Sequence, residues 1–434
     1  MKKSVKVKPS DRLILPNSLT VKEVDDRFVV LSPETGNWIV LDSEAEVAML
    51  SEINGKPIGD VMNGKDVETS RKVITLILAR EFAGINEAII PKYELKMDGM
   101  QIYLTHGCNL RCKHCYMYAG KTSSNEMTVG QWKVVLQAFK DNGGRNVTMS
   151  GGEVMQFNGF PELVEYAHNL GLETLIYTNG ILWTESLIQR LAPYISSVQV
   201  SIDGYNEETN AIIRGKCNFE KACNAVVAFV KYGVEVKVAT TFIFDNITDD
   251  IESKYKAFTE SLNKRAGKKL EYHLTKSLIK GRDVNYTKEQ NNQISELMLS
   301  VQDTISPNSE YVNFIEGHES NILEKSCGYG KPTIDSNGDV YLCSTIEYLK
   351  PIGNVLEESL PQLLHKAESY SVFSDVEHLE ICRGCELRYI CNGGCRLENG
   401  EIKEHVFIRD ECSEGFKKEL LKQMKDSFIY YFKI

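Results

Sequence analysis

The sequence predicts an α/β chain: a partial (β/α)6 TIM-type barrel with an N-terminal winged-helix-like α+β domain and a small cysteine-rich C-terminal domain. Three observations predict it. Between residues 101 and 274, six strand-like runs alternate with helix-like runs at the spacing of βα units. Ahead of them, three short strand-like runs precede segments of helical periodicity. Beyond about residue 310 the alternation fades, and seven of the chain's 12 cysteines crowd into the remainder. The expected boundaries are 1–92, 93–310 and 311–434. A length of 434 residues with 42% hydrophobic residues suffices for two or three packed cores.

The first segment opens with β-rich runs over 19–24, 27–31 and 37–41. Ser-Pro-Glu-Thr-Gly separates the last two as a hairpin turn. Ser43 is placed to N-cap a helix over 44–53 and Gly55 to stop it. Apolar residues at helical spacing then run over 67–82. Three strands followed by helices is a winged-helix-like pattern, and such modules commonly bind DNA. Charge argues otherwise: residues 1–90 hold 12 Lys and Arg against 14 Asp and Glu, a net of −2. The whole chain carries −10. Neither balance offers the basic face that displaces counterions from phosphates, so no nucleic-acid partner is expected.

No run approaches the roughly 18 apolar residues of a spanning helix, and no apolar stretch follows the N-terminal lysines. No membrane partner is expected, and the chain is expected to be cytoplasmic. A reducing compartment does not keep disulfides, so 12 cysteines point to metal or redox chemistry.

The barrel strands are expected at 101–105, 146–149, 173–177, 197–202, 234–242 and 270–274. Thr-Val-Gly-Gln from Thr128 fits a capping box, and Pro161 opens another helix at its first turn. In such folds chemistry gathers at the carboxyl ends of the strands. Immediately after the first strand runs Thr-His-Gly-Cys-Asn-Leu-Arg-Cys-Lys-His-Cys-Tyr, in which Cys108, Cys112 and Cys115 supply three thiolates from one loop. A 4Fe-4S cube takes four ligands, so three leave one iron open to a small chelating molecule. Structural zinc would want a fourth ligand.

This C-x3-C-x2-C run resembles the signature of radical S-adenosylmethionine (SAM) enzymes. The resemblance makes Cys108, Cys112 and Cys115 the catalytic cluster ligands and sets the ring of Tyr116 beside the adenine. Ser150-Gly151-Gly152-Glu153 is similar to the family's glycine-rich turn, whose backbone holds the SAM amino group while the acid supports the site. Val154 stands where most relatives have proline. Asn179, in Thr-Asn-Gly, and Ser201, in Ser-Ile-Asp-Gly, match positions that line the ribose and methionine of SAM, and Arg214 is a further candidate. His106 and His114 are expected to pack against the loop or tune it. Cys217 and Cys223 fit no ligand spacing and are expected to be buried structural residues.

Cys327 and Cys343 enclose Gly338 as C-x10-G-x4-C. Cys382, Cys385, Cys391 and Cys395 follow as C-x2-C-x5-C-x3-C, and then Cys412. The pattern resembles a complete SPASM domain. The resemblance implies two auxiliary 4Fe-4S clusters, one on Cys382, Cys385, Cys391 and Cys412 and one on Cys327, Cys343 and Cys395. The second is a ligand short, leaving an iron open to a substrate thiolate, a side-chain oxygen or another protein ligand. Zinc ribbons usually separate their pairs by roughly 12 to 20 residues, whereas five lie between Cys385 and Cys391.

Residues 32–42, Ser-Pro-Glu-Thr-Gly-Asn-Trp-Ile-Val-Leu-Asp, followed by an acidic apolar helix, resemble the peptide-recognition domain of ribosomal-peptide maturation systems. Such domains capture a leader peptide as an added strand on an open sheet edge. Together these resemblances imply an oxidoreductase that matures a ribosomally made (RiPP) precursor peptide. Its cofactors are SAM and three 4Fe-4S clusters, one binding SAM and two auxiliary. Its partners are the precursor, through its leader, and an electron donor such as flavodoxin or ferredoxin. SAM is cleaved to methionine and a 5'-deoxyadenosyl radical that takes a hydrogen atom, and an intrapeptide thioether or carbon-carbon crosslink follows. A sulfatase maturase forming formylglycine is the nearest alternative, but it carries an aspartate after the cysteine where this chain has Ser344. A zinc-stabilised peptide-binding adaptor is the alternative of another class.

Overall fold

Alternating apolar residues, separated by capped amphipathic helices, build the larger part of the protein. The computed structural model describes residues 5–433 except 65, 94–96, 277, 319–321, 324–326, 398–399, 404–405 and 410. Part of the lysine-rich N-terminus therefore lies outside the described residues. By packing, the chain divides into two units. One comprises Met1–Leu95, Asn308–Cys327 and Phe373–Ile434, and the other Lys96–Pro307 and Gly328–Val372. No described helix is long and apolar enough to cross a membrane.

In the first unit, strands Thr20–Val24, Arg27–Leu31 and Trp38–Leu41 form an antiparallel sheet in that order. The Ser-Pro-Glu-Thr-Gly turn closes as the Ser32 N–H donates to the Asn37 carbonyl at 2.9 Å. Gly36 turns there with φ +66, and a Cβ on it would come within 2.7 Å of the Tyr389 Cβ. Ser43 caps helix Glu44–Ile53 by accepting the Glu46 N–H. Helix Val67–Ala79 is capped by Asp66 and stops short of residue 82. Glu81 there takes φ +53, and the Phe82 N–H turns back to the Ile77 carbonyl.

All four residues of Trp38–Leu41 are buried. The cause lies at the far end of the chain. Leu420, Leu421, Met424 and Phe428, from helix Glu414–Phe432, share one apolar core with Val29, Val30, Trp38 and Ile39. The Trp38 indole N–H donates to the Met424 carbonyl at 3.1 Å.

In the second unit six parallel strands, β1 (Gly99–Tyr103), β2 (Asn146–Ser150), β3 (Glu173–Thr178), β4 (Ser197–Ser201), β5 (Glu235–Thr240) and β6 (Glu271–Leu274), pair in sequence order. Helices between successive strands make this the partial (β/α)6 barrel. Thr128 forms the capping box of helix Val129–Asp141, and Pro161 sits in the first turn of Phe160–Asn169. Strand β1 ends at Tyr103 rather than 105, because the Thr105 hydroxyl accepts the Gly107 N–H and donates to Glu126, starting a loop instead. The sheet continues past β1 through strands that the sequence does not announce. β7 (Thr333–Ile334) runs parallel to β1, and β8 (Asp339–Tyr341) and β9 (Gly353–Asn354) add antiparallel.

Candidate functional site

The cysteine loop leaves β1 and folds back on itself. Cys108 N–H donates to the Gly120 carbonyl at 3.1 Å, Gly120 N–H to His106, and Cys115 N–H to Cys112 at 3.2 Å. This return brings Cys108, Cys112 and Cys115 together, each acting electrostatically on its neighbours. Burial pushes the Cys108 thiol up to about 11 and raises Cys112, while the Arg214 guanidinium pulls Cys112 down. A bound metal favours the thiolate over the thiol, as the neighbouring Arg214 does, and so opposes the effect of burial. The donor set and the adjacent cation therefore fit an iron-sulfur cluster.

The glycine-rich turn after β2 abuts this loop. Gly152 and Glu153 N–H groups donate to the Thr105 and Gly107 carbonyls at 2.8 and 2.9 Å. Gly151 has φ +134, and a Cβ there would lie 2.4 Å from the Thr105 carbonyl oxygen. On Gly152 it would lie 2.3 Å from that of Gly107. No larger residue fits either position without moving the cysteine loop. Glu153 is buried and accepts the Thr178 hydroxyl at 2.6 Å and the Asn179 N–H at 2.8 Å. Burial raises its carboxyl, which these donors oppose. The Asn179 amide reaches Asn109 in the cysteine loop at 2.9 Å, so the end of β3 is tied to the same centre. Ser201, half-buried, closes β4.

Arg214, at the end of helix Glu207–Arg214, has a side chain only 11% exposed and its Nε 2.6 Å from Asp203 Oδ2. His114 Nε2 approaches the same oxygen at 2.6 Å. The Thr241 N–H donates to the other carboxylate oxygen at 2.7 Å. Burial pushes the Asp203 carboxyl up, but Arg214 and His114 outweigh it and hold it at about 2. A fixed ion pair thus stands beside Cys112. His106 bonds Asp335 through Nε2 at 2.8 Å, tying the cysteine loop to the turn between β7 and β8. Tyr116 is held by its hydroxyl, 2.8 Å from that of Tyr103, which donates to the Ser344 carbonyl at 2.5 Å. Cys343 acts electrostatically on both tyrosines and lies in the barrel unit with them.

Of the other C-terminal cysteines, Cys382, Cys385, Cys391, Cys395 and Cys412 belong to the first unit, as does Cys327. Cys385 and Cys391 pack against its apolar core with Leu387 and Ile390. The Lys417 ammonium is raised by Glu414 and, more weakly, by Cys385 and Cys412, which puts those two thiols on one side of the unit. Cys108, Cys112, Cys115, Cys217, Cys223, Cys327, Cys343 and Cys385 form no disulfide. Cys223 is buried as expected, but Cys217 is exposed. Cys217 stands in the turn between two helices with φ +62, its N–H bonded to Glu207, so its side chain points away from any core.

Sequence reasoning missed Asp203, Asp335 and Arg282. The carboxylates lie within turn motifs, Ser-Ile-Asp-Gly and Asp-Ser-Asn-Gly, that signal a bend before they signal a partner.

Comparison with known proteins follows the same lines. Residues 102–256 match the Radical SAM superfamily, and residues 327–386 match SPASM, an iron-sulfur cluster-binding domain. The chain is 29% identical to the sporulation killing factor maturation protein SkfB of Bacillus subtilis over 270 residues, covering 60% of this chain and 63% of that one. It therefore spans just under two thirds of the length of that relative. It is 27% identical to the mycofactocin maturase MftC of Mycolicibacterium smegmatis over 67% of this chain and 76% of the other. The crystal structure of SuiB of Streptococcus suis bound to SAM superposes with a TM-score of 0.54 at 17% identity, over 92% of this chain and 99% of SuiB. SuiB with its precursor peptide SuiA gives 0.53 at 16% identity, over the same shares.

Proposed function

We propose that this chain, which carries a Radical SAM domain and an iron-sulfur-binding SPASM domain, matures a ribosomally made peptide by forming an intrapeptide crosslink. One observation carries the proposal: the loop bearing Cys108, Cys112 and Cys115, whose thiols act on one another electrostatically, packs against the Gly151-Gly152-Glu153 turn and is tied to Asn179 at the end of β3, with the Arg214–Asp203 pair acting on Cys112. The peptide substrate is supported by similarity to SkfB and MftC, named as maturases.

Cys108, Cys112 and Cys115 would hold the SAM-binding cluster. The cluster and SAM, when bound, supply a carbon-centred radical able to take a hydrogen atom from an unactivated carbon. The chain's own residues do the rest. Glu153 fixes the turn against the strand ends through Thr178 and Asn179. Arg214 presents fixed positive charge, held by Asp203, to the loop and would face an anionic group of a bound cofactor. A barrel that excludes water from the reacting carbon would let geometry choose one C–H bond. Forming the crosslink removes two hydrogens from the peptide. One leaves as the abstracted atom, the other as a proton with one electron passing to an acceptor. Cys382, Cys385, Cys391 and Cys412, and Cys327, Cys343 and Cys395, would hold auxiliary clusters in that role. A flavodoxin or ferredoxin would supply the initiating electron.

For the leader, strand Thr20–Val24 is the open side of the N-terminal sheet: among described strands it pairs only with Arg27–Leu31, and it alternates half-buried and exposed residues. A peptide would add there as a strand. A chain whose cysteines serve as metal ligands would suit a reducing cytoplasm. The test is iron, sulfide and zinc per chain after anaerobic purification, with 5'-deoxyadenosine assayed after reduction with SAM. About twelve irons, as three four-iron clusters require, together with the nucleoside, are expected. Stoichiometric zinc without nucleoside would instead make the protein a peptide-binding adaptor.

A further inference from the structure

We propose that Arg282, in the segment after β6, is the positioning residue of the cysteine loop, rigidifying it and placing a fixed cation behind the cluster. The inference rests on the assignment of the SAM-binding cluster to Cys108, Cys112 and Cys115.

The segment around Arg282 lies across the back of that loop as a strap. The Arg282 N–H donates to the Cys115 carbonyl at 3.1 Å, and the Asp283 N–H to the Lys113 carbonyl at 2.7 Å. The guanidinium then forks. Its Nη1 donates to the Cys112 carbonyl at 3.0 Å and its Nη2 to the Ala119 carbonyl at 2.5 Å. One residue therefore joins the backbone at two of the three thiols and at the point where the loop turns home. Lysine cannot reproduce a planar fork with two diverging donors.

The approach is close enough to require glycine beside it: a Cβ on Gly281 would sit 2.4 Å from the His114 carbonyl oxygen. The strap itself is anchored, since the Tyr118 hydroxyl donates to the Gly281 carbonyl at 3.1 Å and the Tyr348 hydroxyl to the Lys280 carbonyl at 2.7 Å. Its position is thus set by its own surroundings as well as by the loop.

Two consequences follow for the cluster. Carbonyl groups flanking ligating cysteines, once tied to one side chain, hold the thiols at fixed separations, which slows loss of iron. A cation behind the loop also favours the reduced cluster, which carries one more negative charge, because hydrogen bonding and net charge around a cluster set its potential. Removing it lowers the midpoint potential.

The experiment uses the full chain with its clusters, without peptide. Midpoint potential is measured by titration followed by the electron paramagnetic resonance signal of the SAM-binding cluster, and iron release to an excess chelator is timed. Arg282→Ala is expected to lower the equilibrium constant for reduction about tenfold, equivalent to about 59 mV for one electron, and to speed iron release about tenfold. Arg282→Lys is expected to hold its potential near wild type yet release iron quickly, because it keeps the charge and loses the fork. Should the alanine variant fail to fold, Arg282→Gln and Arg282→Lys decide, since the glutamine loses charge and fork together and the lysine only the fork, so a potential lowered in the glutamine variant alone reports the charge. An equilibrium constant for reduction and a rate of iron release both within twofold of wild type in these variants would overturn the role of Arg282. Wild-type protein without iron would overturn the cluster assignment and the role together.

Discussion

Asp203 shows what a single buried charge does at this site. It is 1% exposed, and Arg214 and His114 hold its carboxyl low against its burial. Asp203→Asn keeps the shape and removes the charge, leaving the Arg214 guanidinium buried without its counter-ion. Breaking such a pair from one side costs about 3–5 kcal/mol, so the urea midpoint of the metal-free protein is expected to fall. Adding Arg214→Met should recover much of the loss, and a double variant no better than the single one would contradict the pairing. His106 makes a pH-dependent counterpart. Its hydrogen bond to Asp335 raises its pKa above the ordinary 6.5, against burial, which lowers it. The pair therefore stabilises the fold fully below about pH 6.5 and loses that contribution as pH rises through the shifted value. Denaturant midpoints taken between pH 6 and pH 9 should slope downward more steeply in wild type than in Asp335→Asn. Arg214 could be named from the sequence, but its partner could not. Ten residues lie between Asp203 and Arg214, and only the fold of the intervening turn and helix makes them meet.

Among the elements, the tightest fit is that of the glycine turn after β2 against the loop after β1. Gly152→Ala would drive a methyl group to 2.3 Å from the Gly107 carbonyl oxygen, where backbone, not a flexible side chain, must give way. A cost of about 1–3 kcal/mol is expected for overpacking of this kind, read as a lower melting temperature. Iron bound at the cysteine loop should fall with it, since the displaced carbonyl lies next to Cys108. A variant with unchanged iron and melting temperature would mean that the two loops move independently. The barrel strands themselves were legible because each is a short apolar run bounded by caps and turns, and all six lie within about two residues of their expected bounds. The strap carrying Arg282 was not legible. It works through backbone hydrogen bonds and one arginine, and such contacts leave no periodicity in a sequence. β7 to β9 were hidden for a related reason: two- and three-residue strands are too short to show alternation.

At the scale of the whole chain, the proposed function divides the labour between the two sets of cysteines. Cys112→Ala is expected to abolish SAM cleavage, while Cys385→Ala should leave some 5'-deoxyadenosine formation and lose the crosslinked peptide. Equal loss in both would undo that division. The unit holding Cys385 also makes the N-terminal sheet dependent on the far end of the chain. Trp38, Met424 and Phe428 are fully buried in one core, with Leu387, Ile390, Leu420 and Leu421 nearly so. Six of these seven lie beyond residue 380, and burying each side chain contributes about 1.5–3 kcal/mol. Their sum, on the order of 10 kcal/mol as an upper estimate, equals the entire net stability of a typical domain, about 5–15 kcal/mol. A fragment of residues 1–92 alone is therefore expected to lack a cooperative unfolding transition and to show the red-shifted emission of a solvated Trp38. Mixing it with a fragment of residues 308–434 should shift that emission toward the blue as the helix Glu414–Phe432 recovers the indole. A sharp transition in the isolated fragment would mean that the sheet closes its own core, and that the leader binding proposed for it can be tested apart from the C-terminal cysteines.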